Sequence, residues 1–326
     1  MEEKVIQTKI GEEEARKALA ILEKYKQGKK SLDERLIDNE QWWKMRHWDR
    51  FKKKNKNGNA IEPASAWLIN SLINKHADFM DNYPEANILP REESDKETAK
   101  ILSDVIPFIM DRNEYTAVYS EATWQKIKMG TSIYGVFWDA HKENGLGDIS
   151  IKIQESRNLF YLNVMDNDLI EQEYPQMQGK LNDTLISVQE YLNDDYVDTT
   201  GKSLIIDWYY KKTVSGMSGD VPVMKTVLHY CKICNGTVLY ASENDPKMAD
   251  GWYKHGQYPF VFDLMFPIEH SPFGFGYLDI MKDCQEYIDK LGQSILQNSI
   301  AGSRPRYACK DSSGFNEEEF SDLSRD

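Results

Sequence analysis

Apolar positions recur at helical spacing through the first third of the chain. Between Glu12 and Lys26, Ala15, Leu19, Leu22 and Tyr25 follow an i, i+3/i+4 rhythm, and Gly28 is placed to stop that helix. A second helix is expected from Leu32 into the aromatic stretch Trp42 to Trp48, before the polar, Gly/Asn-rich loop 54–59. Glu62 and Pro63 open a third helix whose apolar face reads Trp67, Ile69, Leu72, Ile73, Ala77 and Met80, and which ends at Tyr83 and Pro84. Ser94 and Glu97 stand at capping-box spacing for a fourth, which Pro107 should end or kink near Ile106. A fifth runs from Asn113 to Met129 and stops at Gly130.

The period then shortens to two. Ser132 to Trp138 is strand-like, and Ile149, Ile151 and Ile153 alternate with polar residues as in a half-buried strand. Residues 166–198 are acidic, with a short helix expected around Val188 to Leu192. Leu204 to Lys211 reads as a strand, and Val227 to Ala241 as a hairpin closed by Asn235 and Gly236. Past the loop Pro272 to Gly276, the helical rhythm returns as one long helix from about Leu278 to Ala301. The end is strand-like at Arg306 to Cys309 and then acidic. The chain therefore reads as α+β.

Charge narrows the function. The net charge of −13 excludes simple non-specific coating of DNA, which needs Lys and Arg to neutralise phosphates. Residues 1–60 nevertheless carry a basic surplus, densest at Lys52 to Lys56. An acidic surface suits a protein that lets DNA slide without sticking, and equally serves ordinary solubility. Four cysteines in 326 residues do not make a disulfide scaffold, so a reducing cytoplasm is the expected site of synthesis. The N-terminus lacks a signal-peptide core, and no apolar run approaches membrane-spanning length.

Candidate chemistry is sparse. Cys231 and Cys234 have zinc-knuckle spacing, with His229 or His255 as possible further ligands; the same pair also reads as buried reduced thiols or a disulfide. The segment Trp42 to Lys56 places three tryptophans among basic residues, which suits contact with DNA or a neighbouring subunit as well as plain helix packing. Asp194, Asp195 and Asp198 lack the pattern of a calcium loop. No nucleophile elbow or Walker A loop occurs, and Gly274 and Gly276 lack the strand-turn-helix setting of a dinucleotide loop. His76, His141 and His270 have no identifiable nucleophile partner. No cofactor is expected.

Four stretches carry a family likeness. They are Trp67 to Asn70 through Tyr83-Pro84 with Ile88 to Pro90; Ala117 to Gly130 with Gly135 to Asp139; Gly147 to Leu162; and His255 to Phe260 with Gly274 to Gly276, Asp283 to Gln285 and Lys290-Leu291. In this order and spacing the chain resembles the N-terminal portion of the tailed-bacteriophage portal proteins.

The resemblance implies a helical N-terminal part packed on a mixed β-rich wing, followed by a long stem helix. It divides the chain into N-terminal helices with a basic tract (1–60), an α/β wing (61–270), a stem helix (271–302) and the start of a clip (303–326), truncated relative to the family. It implies a structural protein rather than an enzyme, in a ring of about twelve copies closed by head-to-tail interfaces. Double-stranded DNA would pass through the ring. The expected partners are the terminase large subunit, capsid or scaffolding protein and a head-tail adaptor, with no membrane. The place implied is the portal vertex of the virion, after synthesis in the bacterial host. On the stem, Asp279, Asp283, Glu286 and Lys290 are expected to face the channel, and Ile280, Cys284, Ile288, Leu291 and Ile295 to pack against neighbouring subunits. Were it instead the core helix of a monomer, Gln285 and Gln293 would matter little. Two other readings stand beside this one: a metal-dependent nuclease or hydrolase with an acidic site near 166–198, and another head-tail connector component.

Overall fold

A computed structural model describes residues 10–48, 63–154, 161–181, 201–218, 221–248 and 251–303. The expected helix at 188–192, the basic tract 52–56, the carboxylates 194–198 and the segment 304–326 lie outside the described residues.

The first helix, α1 (Glu12–Trp43), runs unbroken through Gly28, where the sequence predicted a stop. One glycine costs a helix about 1 kcal/mol. The strong helix formers on both sides and the burial of Leu22, Leu36 and Trp42 outweigh that. Three glutamates, Glu12 to Glu14, occupy its first turn, where the helix dipole favours acids.

Helix α2 (Trp67–Asp81) buries Leu68, which the predicted face did not include, and Leu72, which it did. Trp67 and Ile73 are 66% and 48% exposed. Helix α3 (Lys96–Arg112) begins after a 3-10 turn at Glu93–Asp95, with no side-chain cap from Ser94, and continues through Pro107 to Arg112. The ring of Pro107 faces solvent, so the helix loses a hydrogen bond there without ending. Helix α4 (Tyr115–Met129) stops as expected at Gly130, whose φ of 84° closes the helix in the left-handed region.

Two antiparallel sheets follow. In the first, β1 (Thr131–Asp139) lies between β2 (Asp148–Gln154) and β7 (Phe260–Leu264), pairing Tyr134 with Ile153 on one side and Val261 on the other. In the second, the order is β3 (Tyr161–Asp166), β4 (Lys202–Ser218), β5 (Val221–Cys234), β6 (Thr237–Ala241). Asn235 and Gly236, with φ of 48° and 78°, form the predicted hairpin turn between β5 and β6.

The N-terminal turns of α1 cover one face of the second sheet around Ala15, Ala18, Cys231 and Ile233. The short α5 (Asn167–Glu173) and the turn after it cover the other around Ile170, Met177, Ile205 and Cys234. The far end of α1 joins α2, α4 and the last helix, α6 (Tyr277–Ser303), in a third cluster of Trp42, Leu68, Leu72, Ile127 and Leu278. The architecture is thus mixed helix and sheet, with α1 as the strut between its parts.

Candidate functional site

Helix α6 enters through the Gly274-Phe275-Gly276 turn, and close packing is what that turn needs glycine for. A Cβ on Gly276 would stand 2.4 Å from the Ile127 carbonyl oxygen, and one on Gly274 2.4 Å from that of Phe266. The helix starts pressed against the end of α4. Asp279 then fixes it: its Oδ2 accepts from Gly276 N at 2.9 Å and its Oδ1 from the buried Asn39 Nδ2 at 2.9 Å. Lys282 reaches back to Asp38 at 3.1 Å.

One turn on, Gln285 Oε1 accepts from Leu68 N at 3.0 Å and so satisfies an orphan amide at the start of α2. Gln285 Nε2 donates to Ser65 Oγ (2.6 Å) and to Asp289 Oδ1 (2.9 Å), which also accepts from Ser65 N (3.0 Å) and Ser65 Oγ (2.8 Å). Asp289 Oδ2 lies 3.0 Å from His47 Nε2. The imidazole stacks on Trp42 at 4.1 Å, nearly parallel. The aromatic segment that suggested DNA contact is therefore inner packing as far as Trp48, whose Nε1 donates to the Pro63 carbonyl at 2.9 Å.

The polar face of α6 is thus the face bound to its own molecule. Leu278, Gln285 and Asp289 are its buried residues. The apolar stripe lies on the opposite side at about 100° per residue: Ile280, Cys284, Tyr287, Ile288, Leu291 and Ile295 are all exposed, Leu291 and Ile295 by two thirds. From Ser294 to Ile300 every residue is exposed, so the helix projects past the body. A third face carries Asp283, exposed, and Glu286 paired with Lys290 at 2.6 Å. Asp279, expected on that face, is turned inward by its bonds to Gly276 and Asn39, with 11% of its side chain exposed. A folded monomer normally does the reverse, hiding the apolar stripe and showing the polar one. The sequence reading missed the anchor of Gln285, Asp289, Ser65 and His47, although two polar residues four apart and opposite the stripe were a visible signal.

The possible metal pair is not brought together. Residues three apart on a strand project to opposite faces, and Cys231 and Cys234 sit in the two separate clusters on either side of the second sheet. Burial pushes both thiols up, Cys231 to about 12, which keeps them protonated. His229 contacts Ser242 Oγ at 3.2 Å, and His255 is exposed and stacked on Tyr253. Among the described residues no group of three or more His, Cys, Asp or Glu is placed to hold a metal ion. His76 stacks on Trp124 at 4.1 Å with its Nε2 at 3.1 Å from Ser120 Oγ, while His141 and His270 are exposed.

Comparison with protein families settles the broader question. The family model described as phage P22-like portal protein matches residues 29–258, more than two thirds of the chain. The chain belongs to the P22-like phage portal proteins. This is a structural family rather than an enzyme family, and it places the chain at the capsid vertex in an oligomeric ring associated with DNA. The match ends before α6 begins. No curated protein matches the chain. Among the described residues no helix is long and apolar enough to cross a membrane.

Proposed function

We propose that this portal protein forms a ring of about twelve subunits in which α6 is the stem, head-to-tail contacts close the circle, and the ring is the channel for DNA packaging and ejection. The reading assigns residues 61–270 to the wing, 271–302 to the stem and 303–326 to the start of the clip. It assigns Ile280, Cys284, Ile288, Leu291 and Ile295 to packing between subunits, and Asp283, Glu286 and Lys290 to the channel side. Terminase, capsid or scaffolding protein and a head-tail adaptor dock on the outer surfaces.

One observation carries the proposal: α6 is held by its polar face and presents its apolar face outward. An exposed, contiguous apolar stripe of that kind marks an interaction surface. Burying each of its large side chains contributes about 1.5–3 kcal/mol, which repays the entropy lost on association. The flanking Asp283 and Glu286 would repel phosphate weakly and let DNA slide.

Size-exclusion chromatography with light scattering, followed by negative-stain microscopy, tests this. Rings with a central hole are expected. A chain that stays monomeric at high concentration would refute it.

A further inference from the structure

We propose that the exposed apolar face of α3 docks into the groove between α1 and the loop preceding α6 on a second copy of this chain. The inference rests on the ring reading and names a further contact within it.

Helix α3 is only lightly held by its own molecule: of its 17 residues, Ala99 is the one buried. Ile101, Val105 and Phe108 follow i, i+4, i+7 and are 55%, 41% and 59% exposed. This is the anchor spacing of a helix that lies in a groove. Glu97, Asp104 and Asp111 recur every seven residues and are exposed. At about 100° per residue that spacing keeps all three on one flank of the stripe.

A groove of about 680 Å³ supplies the complement. Tyr25, Ile268 and Phe273 give it apolar walls, and Lys24 and Arg35 put positive charge along the α1 side. Gly28 lines it too, and a Cβ there would meet nothing within 4 Å, so the helix surface is open where a partner's ring can enter. Acids flank the helix stripe and bases flank the groove.

The two surfaces belong to different ends of the molecule. α3 leads into the first turn of α4, whereas Gly130 after its last turn is packed against the Phe275 backbone beside the groove. The 15 residues of α4 hold those ends about 22 Å apart. Helix and groove are therefore separated within one chain and available between chains repeated head to tail, the arrangement that closes a ring.

The test replaces Phe108, in the full chain, with the photo-crosslinking residue p-benzoylphenylalanine. Light and heavy isotope-labelled chains are mixed, assembled and irradiated. Mass spectrometry is expected to join residue 108 of one isotope to residues 24–35 or 268–273 of the other. Cross-links to any other surface, or confined to single chains, overturn the contact even where microscopy shows intact rings. A chain that never assembles overturns the contact and the ring reading together. A second variant, Gly28→Leu, fills the groove while adding a better helix former. Its thermal stability should hold or rise while ring formation requires roughly tenfold more protein, the equivalent of about 1.4 kcal/mol. Rings at the wild-type concentration would sink the proposal.

Discussion

His47 and Asp289 face each other at 3.0 Å, imidazole Nε2 against carboxylate Oδ2, with 4% and 1% of their side chains exposed. The contact ties the end of the α1 segment to the middle of α6, some 240 residues away in sequence and roughly three helical turns into that helix counted at 3.6 residues each. Asp289 also gathers Ser65 and Gln285, so one carboxylate organises three segments.

Asp289→Ala should therefore destabilise the chain by about 1–3 kcal/mol or more, the usual cost of leaving buried donors without their acceptor. The Ser65 amide and hydroxyl lose their acceptor, Gln285 loses one of its two, and His47 loses the carboxylate beside it. Asp289→Asn keeps Oδ1 and should cost visibly less. Urea unfolding with an unchanged m-value is the measurement. Equal losses for both variants would mean that the Oδ2 contact with His47, which Asn cannot reproduce, and not the Oδ1 acceptor, carries the cost at this position.

Much of the fold was legible because local signals agreed with tertiary demands. Gly130 and the Asn235-Gly236 pair each need a backbone conformation that few other residues adopt cheaply, so helix end and hairpin appeared where expected. Gly28 misled because nothing in the structure uses its freedom, and the helix runs straight through it. The apolar face of α2 was read only in part, because periodicity cannot say which edge of an apolar stripe is covered: Leu72 is buried as expected, but Leu68, whose amide donates to Gln285, is buried beside it in place of Trp67 and Ile73. The stripe on α6 was readable, and its exposure was not, since exposure depends on what the opposite face binds. The Cys231 and Cys234 spacing was readable as well, but its meaning reverses on a strand, where the two side chains part company.

Gly276→Ala is a sharper probe of how α6 is seated. The added methyl would lie 2.4 Å from the Ile127 carbonyl and 3.0 Å from Gly130 N, both backbone atoms that cannot swing aside. A loss of about 1–3 kcal/mol or more is expected from overpacking, read as a fall in Tm. Gly302→Ala, where the added Cβ meets nothing within 4 Å, is the matched control and should not fall. A Gly276→Ala chain as stable as wild type would show that the end of α4 and the start of α6 are not in contact.

Asp207 makes a pH prediction with a definite sign. Burial raises its pKa above the ordinary 3.8, against the opposing pull of the Tyr230 hydroxyl, which donates to it at 2.5 Å, and of Lys232. The folded chain thus holds this proton more tightly than the unfolded one. Its contribution to stability is greatest below about pH 3.8 and declines as the pH climbs through the raised value. Asp207→Asn retains an acceptor for Tyr230 and removes the ionisation. The Tm difference, variant minus wild type, should therefore grow from pH 3.5 to pH 7 on the scale set by that shift. A difference that stays flat across this range would count against a raised pKa.

Cys284 offers the most direct view of the α6 stripe, because the thiol sits among Ile280, Ile288 and Leu291 and is exposed in the single chain. Cys231 and Cys234 are buried, with thiols held protonated, and should resist maleimide. In a Cys309→Ser background, the dissociated chain should label once, at Cys284, and assembly should protect that site. Leu291→Glu combined with Ile295→Glu changes two side chains that are 65% and 67% exposed, so the monomer should melt as before. Each loses the roughly 1.5–3 kcal/mol of an apolar side chain buried at the interface, so the pair should abolish rings and leave Cys284 reactive at every concentration. If Cys284 labels as fast in intact rings as in the dissociated chain, the stripe is not the face on which subunits meet, whatever else holds the ring together.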